Sequence, residues 1–135
     1  MKELTIDATV ENIDTVIAFV NEQLEAFGCS THALHQIDIA TDELFANIAR
    51  YAYNPHVGPA TVRVELNENP RKAVITFIDR GVPYDPLKKE DPDITLSSEA
   101  RPIGGLGIYM VKKSMDGIKY EYKSGQNILV IEKNL

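Results

Sequence analysis

Cysteine is nearly missing from this chain: Cys29 is the only one in 135 residues. No disulfide can form within the chain. With no second Cys or clustered His at metal-ligand spacing beside it, Cys29 reads as a buried or half-buried structural thiol. Runs of Lys and Arg are also lacking, and the formal net charge is -6. That argues against the usual basic binder of a phosphate backbone, so no direct nucleic-acid partner is expected. An acidic domain can still meet a basic or mixed protein surface. No apolar run approaches membrane-spanning length. The first seven residues, Met-Lys-Glu-Leu-Thr-Ile-Asp, are too poor in apolar side chains for a secretory leader. Neither an internal repeat nor a low-complexity segment is found. The expectation is a soluble, cytoplasmic protein without a membrane partner.

What is present suits one globular domain over residues 1–135. The hydrophobic fraction is 44% and the charged fraction 25%, ordinary values, and the length allows a core without covalent staples. Leu4, Ile6 and Ala8 alternate with polar residues, as in a strand with one buried face. Ile13, Val16, Ile17, Val20 and Leu24 mark an amphipathic helix ending near Phe27-Gly28, with Asn12 a candidate cap and Glu11 and Asp14 suited to a first turn. Ser30 or Thr31 opens a second helix, whose apolar stripe is Leu34, Ile37, Thr41, Leu44, Ile48 and Tyr51; it ends around Tyr53-Asn54-Pro55. Residues 61–66 and 72–79 read as a hairpin turned at Asn67-Glu68-Asn69-Pro70, the second strand being more apolar and more central. Residues 80–103 lose all periodicity, and a loop of that length is usually functional or mobile. Ile108, Val111 and Met115 mark a third helix ended by Gly117. Residues 118–122 and 128–131 are two last strands, joined by a Ser124-Gly125-Gln126-Asn127 turn. The order predicts an α+β fold: a two-layer sandwich, with a mixed, mostly antiparallel sheet and helices on one face.

Three stretches carry chemistry. Glu43 and Asn47 lie four apart on a helix, beside the apolar stripe, so that they project together at the edge of a pocket or of a solvated face. A carboxylate there can accept a proton or orient a hydroxyl; a carboxamide oxygen can ligate a hard cation such as Mg²⁺. Asp79 ends an apolar strand before Arg80-Gly81-Val82-Pro83-Tyr84-Asp85-Pro86. It can accept from an exocyclic amine, or simply cap a turn. Gly104-Gly105-Leu106-Gly107 precedes a helix, where unpaired N–H groups and the helix dipole suit phosphate. Such glycines also build plain turns. Neither a Walker sequence nor a dinucleotide fingerprint is formed. His32 and His35 have no further ligands nearby and read as ordinary surface or half-buried histidines.

Taken together and in order, these stretches resemble the ATP-binding pattern of the GHKL superfamily of gyrase, the large heat-shock chaperone, histidine kinases and mismatch-repair ATPases. Residues 43–47, Glu-Leu-Phe-Ala-Asn, resemble its N box; Asp79-Arg80-Gly81 resembles the first glycine box and Gly105-Leu106-Gly107 the second. Tyr51-Ala52-Tyr53, the Asp-x-Gly-x-Pro-Tyr-Asp-Pro run and Gly-Gly-Leu-Gly-Ile-Tyr-Met-Val are similar to the anti-sigma factor serine kinases of bacterial partner switching. Tyr120, Asn127 and the terminal Lys133-Asn134-Leu135 fit that family's ending. The likeness covers nearly the whole chain and implies the Bergerat-type ATP-binding fold.

It further implies roles. Glu43 would be the general base, and Asn47 would hold Mg²⁺. Asp79 would accept from the adenine amine, with Gly81 leaving the ring room. Residues 87–103 would form an ATP lid, and Gly104, Gly105, Leu106 and Gly107 would meet the phosphates, Arg101 reaching toward them. ATP and Mg²⁺ are the implied cofactors. The implied partners are an anti-sigma factor antagonist of the STAS type as phosphoacceptor, an RNA polymerase sigma factor, and a second copy in a homodimer, for which the N-terminal strand and first helix offer an edge. Two departures stand out. Tyr51 occupies a place where many relatives carry His, and Pro102-Ile103 stand where a basic residue often precedes the glycines. Lys88 and Lys89 read as solvated lid charges. A nucleotide-gated binding module without kinase activity is the rival reading. A histidine kinase is disfavoured, because His32 and His35 share the helix of the N box and no separate helix pair is available.

Overall fold

The alternating segments pair into a single five-stranded sheet. The computed structural model describes residues 1–88 and 106–135. Strands β1 (Lys2–Asp7), β2 (Pro59–Glu68), β3 (Arg71–Asp79), β4 (Gly117–Lys123) and β5 (Gln126–Asn134) lie in the order β1-β2-β3-β5-β4. The helices are α1 (Ile13–Ala26), α2 (Thr31–Asn47) and α3 (Leu106–Ser114). The two-layer α+β sandwich forms as expected, with β3 central. The sheet, expected to be mostly antiparallel, has only antiparallel pairs among the described strands. The reason is topological: α3 delivers the chain to the edge strand β4, and the following hairpin then lays β5 antiparallel along β3.

Period-two burial gives the sheet one inner face. Val62 and Val64 of β2, Ile75 and Phe77 of β3, and Leu129 and Ile131 of β5 point inward. There they join one core with Val16, Val20 and Leu24 of α1, Ile37 and Leu44 of α2, and Ile108 and Val111 of α3. Burying each such side chain is worth about 1.5–3 kcal/mol. Cys29 is half-buried against this core, and burial pushes its thiol pKa up. An inert structural thiol fits that setting.

Helix starts and turns refine the sequence reading. Ser30 caps α2, its hydroxyl accepting from the Ala33 N–H at 3.2 Å. Asn12 caps nothing: its amide donates to the Asp7 carbonyl at 2.9 Å, and a short 3₁₀ turn, Val10–Asn12, leads into α1 instead. Gly117 does not end α3 but begins β4. The final hairpin turns on Ser124 and Gly125 alone, both at positive φ (54° and 77°), so Gln126 and Asn127 belong to β5. Positive φ at both central positions matches the twist of a two-residue hairpin turn. No helix among the described residues is long and apolar enough to cross a membrane.

Candidate functional site

A cleft, open at its mouth, lies between the end of α2 and the ends of β3 and β5. Leu44, Ile48, Phe77 and Leu129 give it apolar walls, and Asn47, Asp79, Tyr84, Tyr120 and Asn127 supply the polar groups. The wall depends on how α2 ends. Past Asn47 the helix widens into a π turn over Ile48–Ala52, a form that recurs at functional sites. The turn puts Ile48, Tyr51 and Ala52 on the cleft. It also brings the Ala52 carbonyl to the Val82 N–H at 2.9 Å. A Cβ at Gly81 would collide with that same carbonyl. Glycine is therefore required at 81 by chain packing, and Gly81 itself is not among the residues lining the cleft.

Asp79 is 6% exposed. Its Oδ1 accepts from the Gly81 N–H and from Asn127 Nδ2, both at 2.9 Å. Among the described residues no donor meets Oδ2. Burial raises the carboxyl pKa, and the Asn127 and Gly81 hydrogen bonds oppose that rise. The carboxylate is thus oriented through one oxygen, on the wall of an apolar cleft.

Asn127 organises this end of the cleft. It faces Asp79 directly across the β3–β5 ladder. Its Nδ2 also donates to the Val82 carbonyl at 2.9 Å and the Gly81 carbonyl at 3.4 Å. Its Oδ1 accepts from the Tyr84 N–H at 3.1 Å and the Tyr120 hydroxyl at 2.5 Å. The two donors on Oδ1 dictate which way the amide points, so Nδ2 must face Asp79. Nearby, the Tyr53 hydroxyl donates to the Pro59 carbonyl at 2.5 Å and accepts the Arg80 N–H at 2.8 Å, tying the chain after α2 to the end of β3. Sequence reasoning placed Asn127 in a turn and assigned it no part in the site. The available signal was Ser124-Gly125 as a complete two-residue turn, which places Asn127 in β5, opposite Tyr122 of β4. Asn127→Ala is expected to lower unfolding free energy by about 2–3 kcal/mol, since several buried groups lose their partner at once. Denaturant titration measures it; a loss under about 0.5 kcal/mol would contradict this role.

The other predicted residues divide. Asn47 lines the cleft, whereas Glu43, one turn earlier on α2, does not. Glu43 lies instead against Gly107 in the first turn of α3, where any side chain at 107 would strike its carboxylate. Gly107 therefore leaves room for Glu43. Arg101, Gly104 and Gly105 lie outside the described residues, as does the side chain of Leu106; of the expected lid, only Leu87 and Lys88 fall inside them, in a 3₁₀ turn, Pro86–Lys88. Among the described residues no group of three His, Cys, Asp or Glu could hold a metal. Asn47 is the described residue that would hold a Mg²⁺, an ion that usually keeps several water and phosphate ligands. Tyr51 is half-exposed, and its ring meets that of Tyr84 at 6.1 Å.

Residues 6–133 match the family described as "Histidine kinase-like ATPase domain". The chain is 26% identical over 95 residues to the serine/threonine-protein kinase BtrW of Bordetella bronchiseptica, covering 70% of this chain and 66% of that protein. It is 28% identical over 132 residues to the serine-protein kinase RsbW of Bacillus thuringiensis and to that of Bacillus cereus, covering 95% of this chain and 81% of each.

Proposed function

Because this chain belongs to the histidine kinase-like ATPase domain family, we propose that it is an ATP-dependent protein serine/threonine kinase acting as an anti-sigma regulatory factor. It phosphorylates a serine of a STAS-type antagonist and sequesters a sigma factor when that antagonist is unavailable. The names of the Bordetella and Bacillus relatives support the kinase class.

The observation that carries the reading is the state of Asp79: one carboxylate oxygen fixed by two N–H donors, the other without a described donor, on the wall of an apolar cleft. A purine with an exocyclic amine fits, its ring covered by Ile48, Phe77 and Leu129 and its amine donating to Oδ2. Guanine would present a carbonyl there and meet the carboxylate with repulsion. From this anchor the triphosphate runs toward Asn47 and the start of α3. Bound Mg²⁺, held at Asn47, would neutralise charge on the phosphates. Glu43, one turn beyond Asn47, takes the proton from the substrate serine hydroxyl. The serine oxygen–phosphorus bond forms, the bond from the γ-phosphorus to the ADP oxygen breaks, and ADP leaves. A cytoplasmic setting and a homodimer accompany this reading.

The test incubates the purified protein with γ-labelled ATP, Mg²⁺ and candidate antagonists encoded near its gene. Label on an antagonist serine is expected. Tight ATP binding with no transfer to any candidate would replace the kinase with the nucleotide-gated switch. Absence of nucleotide binding would sink both.

A further inference from the structure

Lys133 is a cation on the core-facing side of the sheet. Along β5, Leu129 and Ile131 point inward, and period two carries Lys133 to the same face. Its side chain is 16% exposed. Lysine is rarely covered in this way without a partner, and a leucine would serve packing alone. The partner is the end of α3: Lys133 Nζ donates to the Ser114 carbonyl at 2.7 Å. That carbonyl belongs to the last turn of the helix, where backbone acceptors lack intrahelical donors and the dipole favours a cation. Asp116 lies 3.9 Å from the same ammonium. The residues on either side of Lys133 hold the chain as it leaves α3. The Glu132 carbonyl accepts from the Asp116 N–H at 2.9 Å, and the Asn134 N–H donates to Asp116 Oδ2 at 2.7 Å. Three successive residues of β5 thus clamp one end of α3.

The other end of α3 is the seat of Glu43. With nine residues, the helix is roughly 13 Å long. Gly107, in its first turn, lies against the Glu43 carboxylate with no room for a side chain between them. Between the two ends, Ile108, Val111 and Met115 anchor this segment in the core. Apolar contact is non-directional: it keeps the helix in its layer but resists sliding along the axis only weakly. The hydrogen bond at Ser114 is directional and fixes the axial position. We infer that Lys133 is a positioning residue for Glu43: by holding the C-terminal end of α3, it sets where the first turn meets the Glu43 carboxylate. The inference rests on the proposed role of Glu43 in taking the serine proton. Its consequence falls on the transfer step, because Lys133 is not among the residues that line the cleft.

Single-turnover transfer from γ-labelled ATP and equilibrium ATP binding, measured on the full chain, test this with Lys133→Met, Lys133→Arg and Lys113→Met. Lys113 is a second cation in the same last turn, set over the Tyr109 ring at 5.5 Å, and serves as the control for charge alone. Lys133→Met should transfer roughly 10- to 100-fold more slowly, the scale of a small misplacement remote from the chemistry, with ATP affinity within about twofold. Lys133→Arg, which can still donate to the Ser114 carbonyl, should restore most of the rate, and Lys113→Met should change neither quantity. In a Glu43→Gln background, Lys133→Met should cost less than about twofold more, since it acts through a group already removed. Amide hydrogen exchange supplies a readout that needs no phosphoryl transfer: the α3 amides should exchange at least about tenfold faster in Lys133→Met, while those of β3 stay protected. Undiminished transfer in Lys133→Met, an equal loss in Lys113→Met, a full further loss in the Glu43→Gln background, or unchanged α3 exchange would each overturn the inference. A wild type that transfers nothing would sink the kinase reading instead, and exchange would then decide by itself whether Lys133 sets the start of α3.

Discussion

Glu43→Gln is expected to lower phosphoryl transfer to the antagonist by about 10²–10⁴-fold, the range a positioned general base contributes, while ATP affinity stays within about twofold. Gln keeps the shape that lies against Gly107, so the start of α3 is undisturbed, but its amide cannot take the serine proton. Binding should survive because Glu43 is not among the residues that line the cleft. Single-turnover transfer and equilibrium ATP binding, measured on the same preparation, separate the two effects. Transfer undiminished in the variant would remove Glu43 from the chemistry. Loss of binding would instead make it part of the nucleotide site.

Asp79→Asn should have the opposite profile: a folded protein that no longer selects adenine. The side-chain oxygen of Asn can still accept from Gly81 and Asn127, so the network that orients position 79 is kept. The second oxygen, however, becomes an NH₂ group, and a donor facing the adenine amine leaves both unpaired inside the cleft. The ATP dissociation constant is expected to rise by at least about 100-fold, in line with roughly 3 kcal/mol for a lost charged hydrogen bond and a buried unsatisfied donor. Stability should move the other way. Burial raises the Asp79 pKa, so the fold favours the protonated carboxyl; the stability this contributes is present at low pH and is lost as pH rises through the folded pKa. Asn mimics the neutral form at every pH. The variant should therefore be at least as stable as wild type near pH 7.5, with the difference shrinking as the pH falls toward the carboxylate range. Denaturation at several pH values checks the sign. A variant markedly less stable at neutral pH would mean that the fold relies on the charge itself.

Much of this was legible in the chain alone, for a physical reason. Period-two and period-3.6 patterns report which face of an element is buried, and here they locate every strand and helix described, with errors confined to ends. Two of the misplaced ends were those where one local rule had two outcomes. Asn12 was free to cap or to bond backward to Asp7, and Gly117 to end a helix or to start a strand. Local spacing also put Glu43 and Asn47 on one helix face, since four residues make about one turn.

What spacing could not supply was which groups meet across the fold. Asp79 and Asn127 are 48 residues apart; only the antiparallel pairing of β3 with β5 brings the amide onto the carboxylate. Gly81 looked like room for a ligand, yet the tertiary structure fills that space with the Ala52 carbonyl. The π turn that carries Ala52 there leaves no signature in an ordinary helical stripe. Local sequence thus determined the elements and the types of chemical group they carry. Tertiary packing alone decided which of those groups became partners, because strand register and helix ending are settled by the burial of the whole core.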